Sequence, residues 1–175
     1  MRQRIRGFTL MEALAAMAVI LITLCIGLPN FGKLLDRHRQ LAATNELLAQ
    51  LALARSWAIS RGESIAICPS TNRRDCDSGN EWSGNWIIYA DPDGNRQPDR
   101  SSDILTMSPA PGGERLRILS SAGRLQMRYH SDGRAAGSNL TFRLCSRQVV
   151  VAKVVVNATG RARSVSLADR PLCAP

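Results

Sequence analysis

The apolar positions in the first third of the chain follow a helical period. No charged residue occurs from Ala13 to Leu28, and the apolar segment that begins at Phe8 is interrupted by charge only at Glu12. A segment of about 20 apolar residues is long enough to span a bilayer as a helix. Three arginines precede it. By the positive-inside rule they keep the start of the chain in the cytoplasm and send the rest outward.

The helical period continues beyond Pro29. Leucines recur at spacings near three and four residues with polar residues between them, and neighbouring alanines favour a helix. The pattern predicts one long helix from about Phe8 to about Ser60, which ends near Gly62. The second half of this helix is predicted to pack its apolar face on a globular domain, with Trp57 and Ile59 at the contact.

From residue 64 the pattern changes to short strands separated by turns. Glycines punctuate the segment, and two valine triplets, at 149–151 and 154–156, make its most strongly predicted strand. The pattern predicts an α+β fold in which the long N-terminal helix packs on an antiparallel β-sheet or on two packed sheets. The predicted strands cover residues 64–69, 82–89, 116–120, 125–129, 140–145, 148–157 and 162–167.

The five cysteines indicate an oxidising compartment. Cys25 lies within the apolar segment and is interpreted as a small buried hydrophobic side chain. The other four form an even set behind an export-type N-terminus, which predicts two disulfides with three possible pairings. We favour Cys68–Cys76, which closes a short loop, and Cys145–Cys173, which ties down the C-terminus. The alternative is a zinc site, but the spacings differ from those of zinc ligands and histidines are scarce.

Charge is distributed unevenly along the chain, whose formal net charge is +9. Residues 63–103 contain eight acidic side chains and four arginines, a net charge of −4. Residues 116–175 contain nine arginines, one lysine and two acidic side chains, a net charge of +8. A basic C-terminal third suggests an anionic partner, either nucleic acid or a membrane surface. The alternative is that it complements acidic neighbouring subunits.

The N-terminal motif carries a specific resemblance. The residues from Gly7 through Phe8, Thr9, Leu10 and Met11 to Glu12, followed by an apolar helix, closely resemble the class III signal of type IV pilins and type II secretion pseudopilins. The resemblance implies cleavage after Gly7 by prepilin peptidase and N-methylation of Phe8. It implies that Glu12 neutralises the N-terminus of an adjacent subunit during assembly. Pro29 falls where pilins commonly carry a helix-bending proline.

This resemblance implies four segments and a location. They are a prepilin leader at 1–7, a transmembrane and filament-core helix at 8–28, the periplasmic half of the helix at 29–61, and a globular β-rich pilin domain at 62–175. The implied location is the inner membrane, as a single-pass protein with a periplasmic domain, and then the pilus at the cell surface. The implied partners are other pilins, prepilin peptidase and, before assembly, the inner membrane.

The β-rich part resembles one branch of the same family. Cys-Pro-Ser at 68–70 leads through a second cysteine to Trp-Ser-Gly-Asn-Trp-Ile-Ile-Tyr-Ala-Asp at 82–91, an order that is similar to the FimT/GspH minor pilins and pseudopilins. Gly160-Arg161-Ala162-Arg163 matches the Gly-Arg-x-Arg motif of FimT-like minor pilins, which bind DNA during natural transformation. The resemblance thus implies a minor pilin that binds double-stranded DNA for uptake.

The candidate site lies in the segment 157–164, between two predicted strands. Alternate residues of a strand share a face, so Arg161 and Arg163 are predicted to point the same way and to clamp successive phosphates. Such binding is expected to be independent of sequence and to weaken steeply with salt. The predicted DNA-binding residues are Gly160, Arg161, Arg163, Arg143, Arg147, Lys153 and Arg170, and Arg124, Arg128 and Arg134 either join them or lie elsewhere.

Other functions are weighed against DNA binding. A minor pilin that primes pilus assembly, or a type II secretion pseudopilin of the GspH kind, would need no DNA contact. An enzyme is not expected, because His38 and His130 have no serine or cysteine nucleophile motif beside them and no glycine-rich phosphate loop occurs.

No cofactor or metal is expected. Asp91, Asp93 and Asn95 alternate as in a calcium loop, but the bidentate glutamate that such a loop needs downstream is missing. The same segment fits an ordinary tight turn.

Overall fold

The structure is a computed structural model of the chain. It describes residues 9–109, 116–165, 167–169 and 171–173, and within the helix it leaves out the side chains of residues 26–30 and 33. The predicted cleavage and methylation sites, Gly7 and Phe8, lie outside the described residues. The chain divides into two units, residues 1–38 and 39–175.

One helix, α1, runs without interruption from Leu10 to Arg61. It continues through position 29, and it ends where Gly62 adopts a left-handed conformation with φ of 67°. The amide of Gly62 donates to the carbonyl of Ala58 at 3.1 Å, which closes the last turn. The bounds agree with the prediction from the leucine spacing.

In the first unit, the large apolar side chains that the structure describes are exposed. Cys25 is a free thiol that is also exposed in the isolated chain, so the expectation of a buried position is wrong for this chain alone. Among the residues that the structure describes, no helix has both the length and the apolar character needed to cross a membrane.

The second unit contains two four-stranded sheets in which the strand pairings are antiparallel. In the first sheet the order is β3-β2-β1-β5, and in the second it is β4-β6-β7-β8. The strands are β1 (Ile65–Pro69), β2 (Trp86–Ala90), β3 (Ile104–Ser108), β4 (Leu116–Ser120), β5 (Met127–Tyr129), β6 (Leu140–Ser146), β7 (Val149–Val156) and β8 (Ala162–Val165).

The second half of α1 and the inner faces of both sheets share one core. The helix contributes Ala43, Leu47, Leu51, Ala54 and Ala58, at intervals of three and four residues, and all five are fully buried. These intervals place the five side chains on one face of the helix, as the sequence predicts. The predicted contact holds for both residues, because Trp57 packs against the core and the side chain of Ile59, although 52% exposed, lies against Gly133.

The segment after β1 differs from its prediction. The sequence places Trp82 in the second strand, but that strand begins at Trp86. Trp82 instead lies in a connection that pairs with β4 of the other sheet, because its amide donates to the carbonyl of Ile118 at 2.7 Å. Its indole is fully buried against Phe142. The connection thus joins the two sheets.

The strand β3 and the 3-10 helix Ser101–Asp103 before it do not appear among the predicted elements. The strand β2 begins four residues later than predicted, and the ends of the other predicted strands shift by up to two residues in the described part of the chain.

Two disulfides lie on the outer faces of the sheets. Cys68 bonds to Cys76 with a Cα–Cα distance of 5.6 Å, and Cys145 bonds to Cys173 with a Cα–Cα distance of 6.0 Å. Each belongs to a small apolar cluster, around Tyr89 on the first sheet and around Val150 on the second. This is the pairing that the sequence favours, and it covers both sheets on the side away from the helix.

Candidate nucleic-acid interface

The strand register of the second sheet decides which cations share a face. Arg143 of β6 lies directly opposite Lys153 of β7, and Arg163 of β8 lies opposite Val155. Directly opposed residues point to the same side of a sheet, and so do residues two apart in a strand. Arg143, Lys153 and Arg163 therefore lie on one face, on three adjacent strands.

This face is the outer one. The neighbours of Arg143 along β6, Phe142 and Leu144, are fully buried in the core, and so is Val154 next to Lys153. Side chains alternate along a strand, so the cations point away from the core. We call Arg143, Lys153, Arg161 and Arg163 the cationic face. Since strands are spaced about 4.8 Å apart, three strands spread the charges over roughly 10 Å.

The charges of the cationic face repel one another. Directly opposed side chains have Cβ atoms about 5 Å apart, and like charges at that distance destabilise a sheet. Among the described residues, no carboxylate lies within salt-bridge distance of Arg143, Lys153 or Arg163. An external anion that binds here therefore relieves a repulsion present in the free protein.

The turn between β7 and β8 presents Arg161. The Asn157 side chain accepts hydrogen bonds from the amide of Arg161 at 3.0 Å and from the hydroxyl of Thr159 at 2.7 Å. The amide of Gly160 donates to the Asn157 carbonyl at 2.9 Å. The turn is thus closed by its own asparagine. Arg161 immediately precedes β8, which begins at Ala162, the residue at which the sequence predicts the strand to start.

The conformation of Gly160 explains why a glycine precedes the arginines. Its φ is 80°, in the left-handed region that disfavours other residues. It is buried, and a Cβ added there would overlap the carbonyl oxygen of Gly133 in the neighbouring turn. That same oxygen accepts a hydrogen bond from Nε of Arg55 in α1 at 2.9 Å. The glycine allows the arginine-bearing turn to rest on the turn at 130–134 and on the helix.

Sequence reasoning did not anticipate this support. The amide of Ala135 donates to the carbonyl of Ala158 at 3.2 Å, which fixes the two turns side by side. The exposed Arg134 stands between Gly133 and Ala135 and therefore lies next to the candidate site. No local signal could have revealed Arg55, because its contact with Gly133 spans 78 residues.

The structure separates other predicted residues from this site. Arg147 occupies the tight turn between β6 and β7, at the opposite end of β7 from Gly160, which is roughly 25 Å for a strand of eight residues. Arg124 and Arg128 contribute to the first sheet and its surroundings instead. Arg170 lies outside the described residues.

Near the N-terminus, Thr9 and Glu12 cap the helix reciprocally. The amide of Glu12 donates to the Thr9 hydroxyl at 3.3 Å, and the amide of Thr9 donates to the Glu12 carboxylate at 3.4 Å. This capping box satisfies two amides that the helix leaves without a partner. The carboxylate therefore lies at the start of α1, where the helix dipole favours negative charge.

Comparison with known protein families agrees with the fold. Residues 43–160 match the model of one family, described as type II transport protein GspH. The chain belongs to the GspH family. The match extends from the packed half of α1 through β7 to Gly160, before β8, and it covers more than half of the chain. Its long helix and two antiparallel sheets form a pilin-like α+β fold.

Two crystal structures of one protein share the fold of this chain. The type IV minor pilin FimU of Pseudomonas aeruginosa matches in two crystal forms at 18% identity. The first covers 78% of this chain and 95% of FimU with a TM-score of 0.62, and the second covers 75% and 96% with a TM-score of 0.58. The minor pseudopilin EpsH from the type 2 secretion system of Vibrio cholerae matches at 12% identity over 74% of this chain and 98% of EpsH, with a TM-score of 0.48. No curated protein sequence matches the chain.

Proposed function

We propose that this GspH-family protein is a minor type IV pilin that binds double-stranded DNA without sequence preference, for uptake in natural transformation. The observation that carries the proposal is the cationic face. Strand register brings Arg143, Lys153 and Arg163 to one surface. Among the described residues, no carboxylate lies within salt-bridge distance of these three side chains. Arg161 extends this surface from a turn that Gly160 holds in place.

The chemistry of this face suits phosphates rather than bases. Guanidinium groups bind phosphate oxygens bidentately, and phosphate contacts carry no sequence information. Among the described residues, the cations of this face lie on sheet strands and on the turn before β8, and none of them is carried by a helix that could enter a groove. If each of the four cations neutralises one phosphate, the logarithm of the affinity falls by roughly 3 to 4 per tenfold increase in salt. Several subunits along a filament then add avidity to a weak single contact.

The test is DNA binding by the full chain in a non-ionic detergent. Electrophoretic mobility shifts with a duplex are measured at low and moderate salt for the wild type and for Arg161→Gln/Arg163→Gln. We expect the wild type to bind at low salt, salt to weaken binding, and the double variant to lose at least tenfold in affinity. The thermal midpoint of the variant establishes that it remains folded.

A matched control removes the same charge elsewhere. Arg73 and Arg74 are exposed residues of the loop after β1, in the acidic part of the chain. Arg73→Gln/Arg74→Gln therefore lowers the net charge by the same two units but leaves the cationic face intact. Equal losses in the two double variants would show that net charge, and not this face, governs binding. No binding by the wild type at low salt would refute the DNA proposal altogether.

The N-terminus is proposed to act in export and assembly. Cleavage after Gly7 by prepilin peptidase and methylation of Phe8 would leave Glu12 near the new N-terminus. The protein would sit in the inner membrane through its apolar helix until other pilins incorporate it, with its β-rich domain outside the cytoplasm. In the assembled state, the Glu12 carboxylate would exchange its contact with the Thr9 amide for the N-terminal amine of an adjacent subunit.

The second candidate function is assembly or secretion without DNA binding. The family description, type II transport protein GspH, favours it. The two proposals differ in the phenotype of a deletion strain. If pili persist and transformation fails, the DNA-uptake function stands. If pili or protein secretion disappear and the Arg161→Gln/Arg163→Gln variant restores them, the protein acts in assembly or secretion.

A further inference from the structure

A polar cavity of about 540 Å³ lies on the outer face of the first sheet, beside β5. Arg96, Arg124 and Arg128 line it, together with His130 and Gln126. Its volume lies within the range of small-ligand sites. Because Arg128 pairs in register with the outward-facing Ala66 of β1, this cavity belongs to a different sheet from the cationic face.

A buried carboxylate organises one wall of the cavity. Asp91 is fully buried, and its Oδ2 atom lies 3.4 Å from Nη1 of Arg128. Its Oδ1 atom accepts the amide of Arg96 at 3.3 Å. Arg96 has a φ of 71°, a left-handed conformation that costs free energy for a residue with a side chain. Asp91 thus holds the guanidinium group of Arg128 and the backbone of Arg96, two of the three arginines that line the cavity.

Two glycines make room for the guanidinium groups. A Cβ added at Gly94 would overlap Nη1 of Arg128, and one added at Gly137 would overlap Nη1 of Arg124. The Nη2 atom of Arg124 also donates to the Ala136 carbonyl at 2.9 Å. These contacts hold both guanidinium groups in place before any ligand arrives, and such preorganisation lowers the cost of binding.

The acidic side chains near the cavity have their own partners. Asp77 lines it, and its Oδ2 atom accepts the amide and the hydroxyl of Thr71 at 3.0 and 2.8 Å. Asp91 is occupied by Arg128 and by the Arg96 amide. Three arginines and one aspartate line the cavity, so its lining carries a net positive charge that favours an anion.

We propose that this cavity binds a phosphate monoester carried by a small organic molecule of about the size of a nucleoside monophosphate. A monoester carries nearly two negative charges at neutral pH, and arginine matches its oxygens bidentately. A free phosphate ion would leave most of the cavity empty. Gln126 and His130 offer an amide and an imidazole to the hydroxyl groups of the organic part. The source is either a free nucleotide or the 5′-phosphorylated end of a nucleic-acid strand.

The inference does not depend on DNA binding by the cationic face, because the two sites use different residues on different sheets. The experiment is calorimetric titration of the full chain in a non-ionic detergent at fixed ionic strength. The probes are adenosine 5′-monophosphate, adenosine, inorganic phosphate, and one short oligonucleotide with either a 5′-phosphate or a 5′-hydroxyl. The variants are Arg124→Gln and Arg96→Gln, and Arg61→Gln at the end of α1, outside both sites, is the control.

We expect adenosine 5′-monophosphate or the 5′-phosphorylated oligonucleotide to bind, and their counterparts without phosphate to bind at least tenfold more weakly. Binding by the nucleotide alone identifies a free nucleotide as the source, and binding by the oligonucleotide alone identifies a strand end. Arg124→Gln and Arg96→Gln each weaken the binding at least fivefold, whereas Arg61→Gln leaves it unchanged. Because the Arg96 side chain is exposed, its variant keeps the test informative if Arg124→Gln unfolds.

Three results would overturn the proposal. One is the absence of heat with every phosphorylated probe. Another is equal affinity for adenosine and its monophosphate, or for inorganic phosphate and the monophosphate. The third is unchanged binding in both Arg96→Gln and Arg124→Gln. None of these results bears on duplex binding by the cationic face, which the Arg161→Gln/Arg163→Gln variant tests separately.

Discussion

At the scale of single residues, two features of Gly160 oppose its replacement by another residue. Substitutions can measure the two effects separately. The left-handed φ of 80° disfavours any side chain, and a Cβ would in addition overlap the Gly133 carbonyl. We expect Gly160→Ala to lower the free energy of unfolding by about 2 to 4 kcal/mol, since left-handed strain alone costs about 1 to 3 kcal/mol. Chemical denaturation of the full chain measures the change.

Gly123→Ala is the matched control. Gly123 has a similar φ of 74°, but nothing lies within 4 Å of an added Cβ. It therefore reports the conformational strain without the overlap, and we expect it to destabilise the protein less. Equal effects of the two substitutions would show that the contact between the turns at Gly160 and Gly133 contributes nothing beyond backbone strain.

The sequence predicts only part of the candidate site at this scale. The Gly-Arg-x-Arg motif identifies Gly160, Arg161 and Arg163, because the motif is local. The juxtaposition of Arg143 and Lys153 depends on the register of the hairpin β6–β7, which its tight turn and a bulge after Leu144 determine. A shift of one residue would reverse every side chain, so composition alone could not assign the faces.

At the scale of secondary-structure elements, the repulsion within the cationic face predicts a trade-off between stability and binding. In Lys153→Glu, Arg143 faces an opposite charge on the neighbouring strand. We expect the free energy of unfolding at low salt to rise by about 0.2 to 1 kcal/mol, because opposed charges of unlike sign stabilise a strand pair. We expect DNA affinity to fall at the same time.

Lys153→Gln shows whether Lys153→Glu stabilises the protein by attracting Arg143 or only by removing the repulsion between Arg143 and Lys153. It removes the charge without adding its opposite, so its stability should lie between those of the wild type and Lys153→Glu. The differences should shrink in high salt, because salt screens exposed charges. A Lys153→Glu protein less stable than the wild type at low salt would refute the repulsion between Arg143 and Lys153.

The sequence predicts a strand correctly where its apolar pattern is strong. It does not predict the structure where pairing with a distant segment determines it. The valine-rich β7 and the β4 segment follow their apolar pattern closely. The sequence predicts Trp82 in a strand of the first sheet because aromatic residues favour strands. Its segment instead pairs with β4 of the opposite sheet. The strand β3 is half exposed at the sheet edge, and its weak pattern gave no clear signal.

At the scale of the whole molecule, an ion pair joins the connection after β1 to β4 of the second sheet. Glu81 accepts hydrogen bonds from Arg117 and Ser83. Burial raises the pKa of the Glu81 carboxyl, but the hydrogen bonds from Arg117 and Ser83 and the charge of Arg117 outweigh it and hold the pKa below its ordinary value of 4.5. The hydrogen bond to Glu81 in turn raises the pKa of Arg117.

This shift predicts the pH dependence of the link between the sheets. Because the folded-state pKa of Glu81 is below the unfolded value of 4.5, its contribution is present above that pH and is lost as pH falls through the folded-state pKa. We expect the wild type to exceed Glu81→Gln in stability by less than about 1 kcal/mol near pH 7, since the pair is largely exposed. The difference should disappear near pH 2.5.

A double-mutant cycle with Arg117→Gln, measured by urea denaturation at both pH values, isolates the pair from other titrating groups. A coupling energy that is the same at both pH values would contradict the assigned pairing. The sequence indicated neither residue, because the two lie 36 positions apart and meet only through the segment around Trp82.

The support beneath Gly160 has a mechanical consequence for a subunit that holds a long polymer. Tension on the bound strand would enter the protein at Arg161. Under the proposed DNA binding, the load would divide from there between the backbone ladder of β7 and β8 and the hydrogen bond from the Ala135 amide to the Ala158 carbonyl, which joins this turn to the one that Arg55 ties to the helix. The load would therefore reach two elements at once, and the guanidinium–phosphate contacts would be the first to break. Under pull, the strand is expected to slip from the protein before the turn unravels.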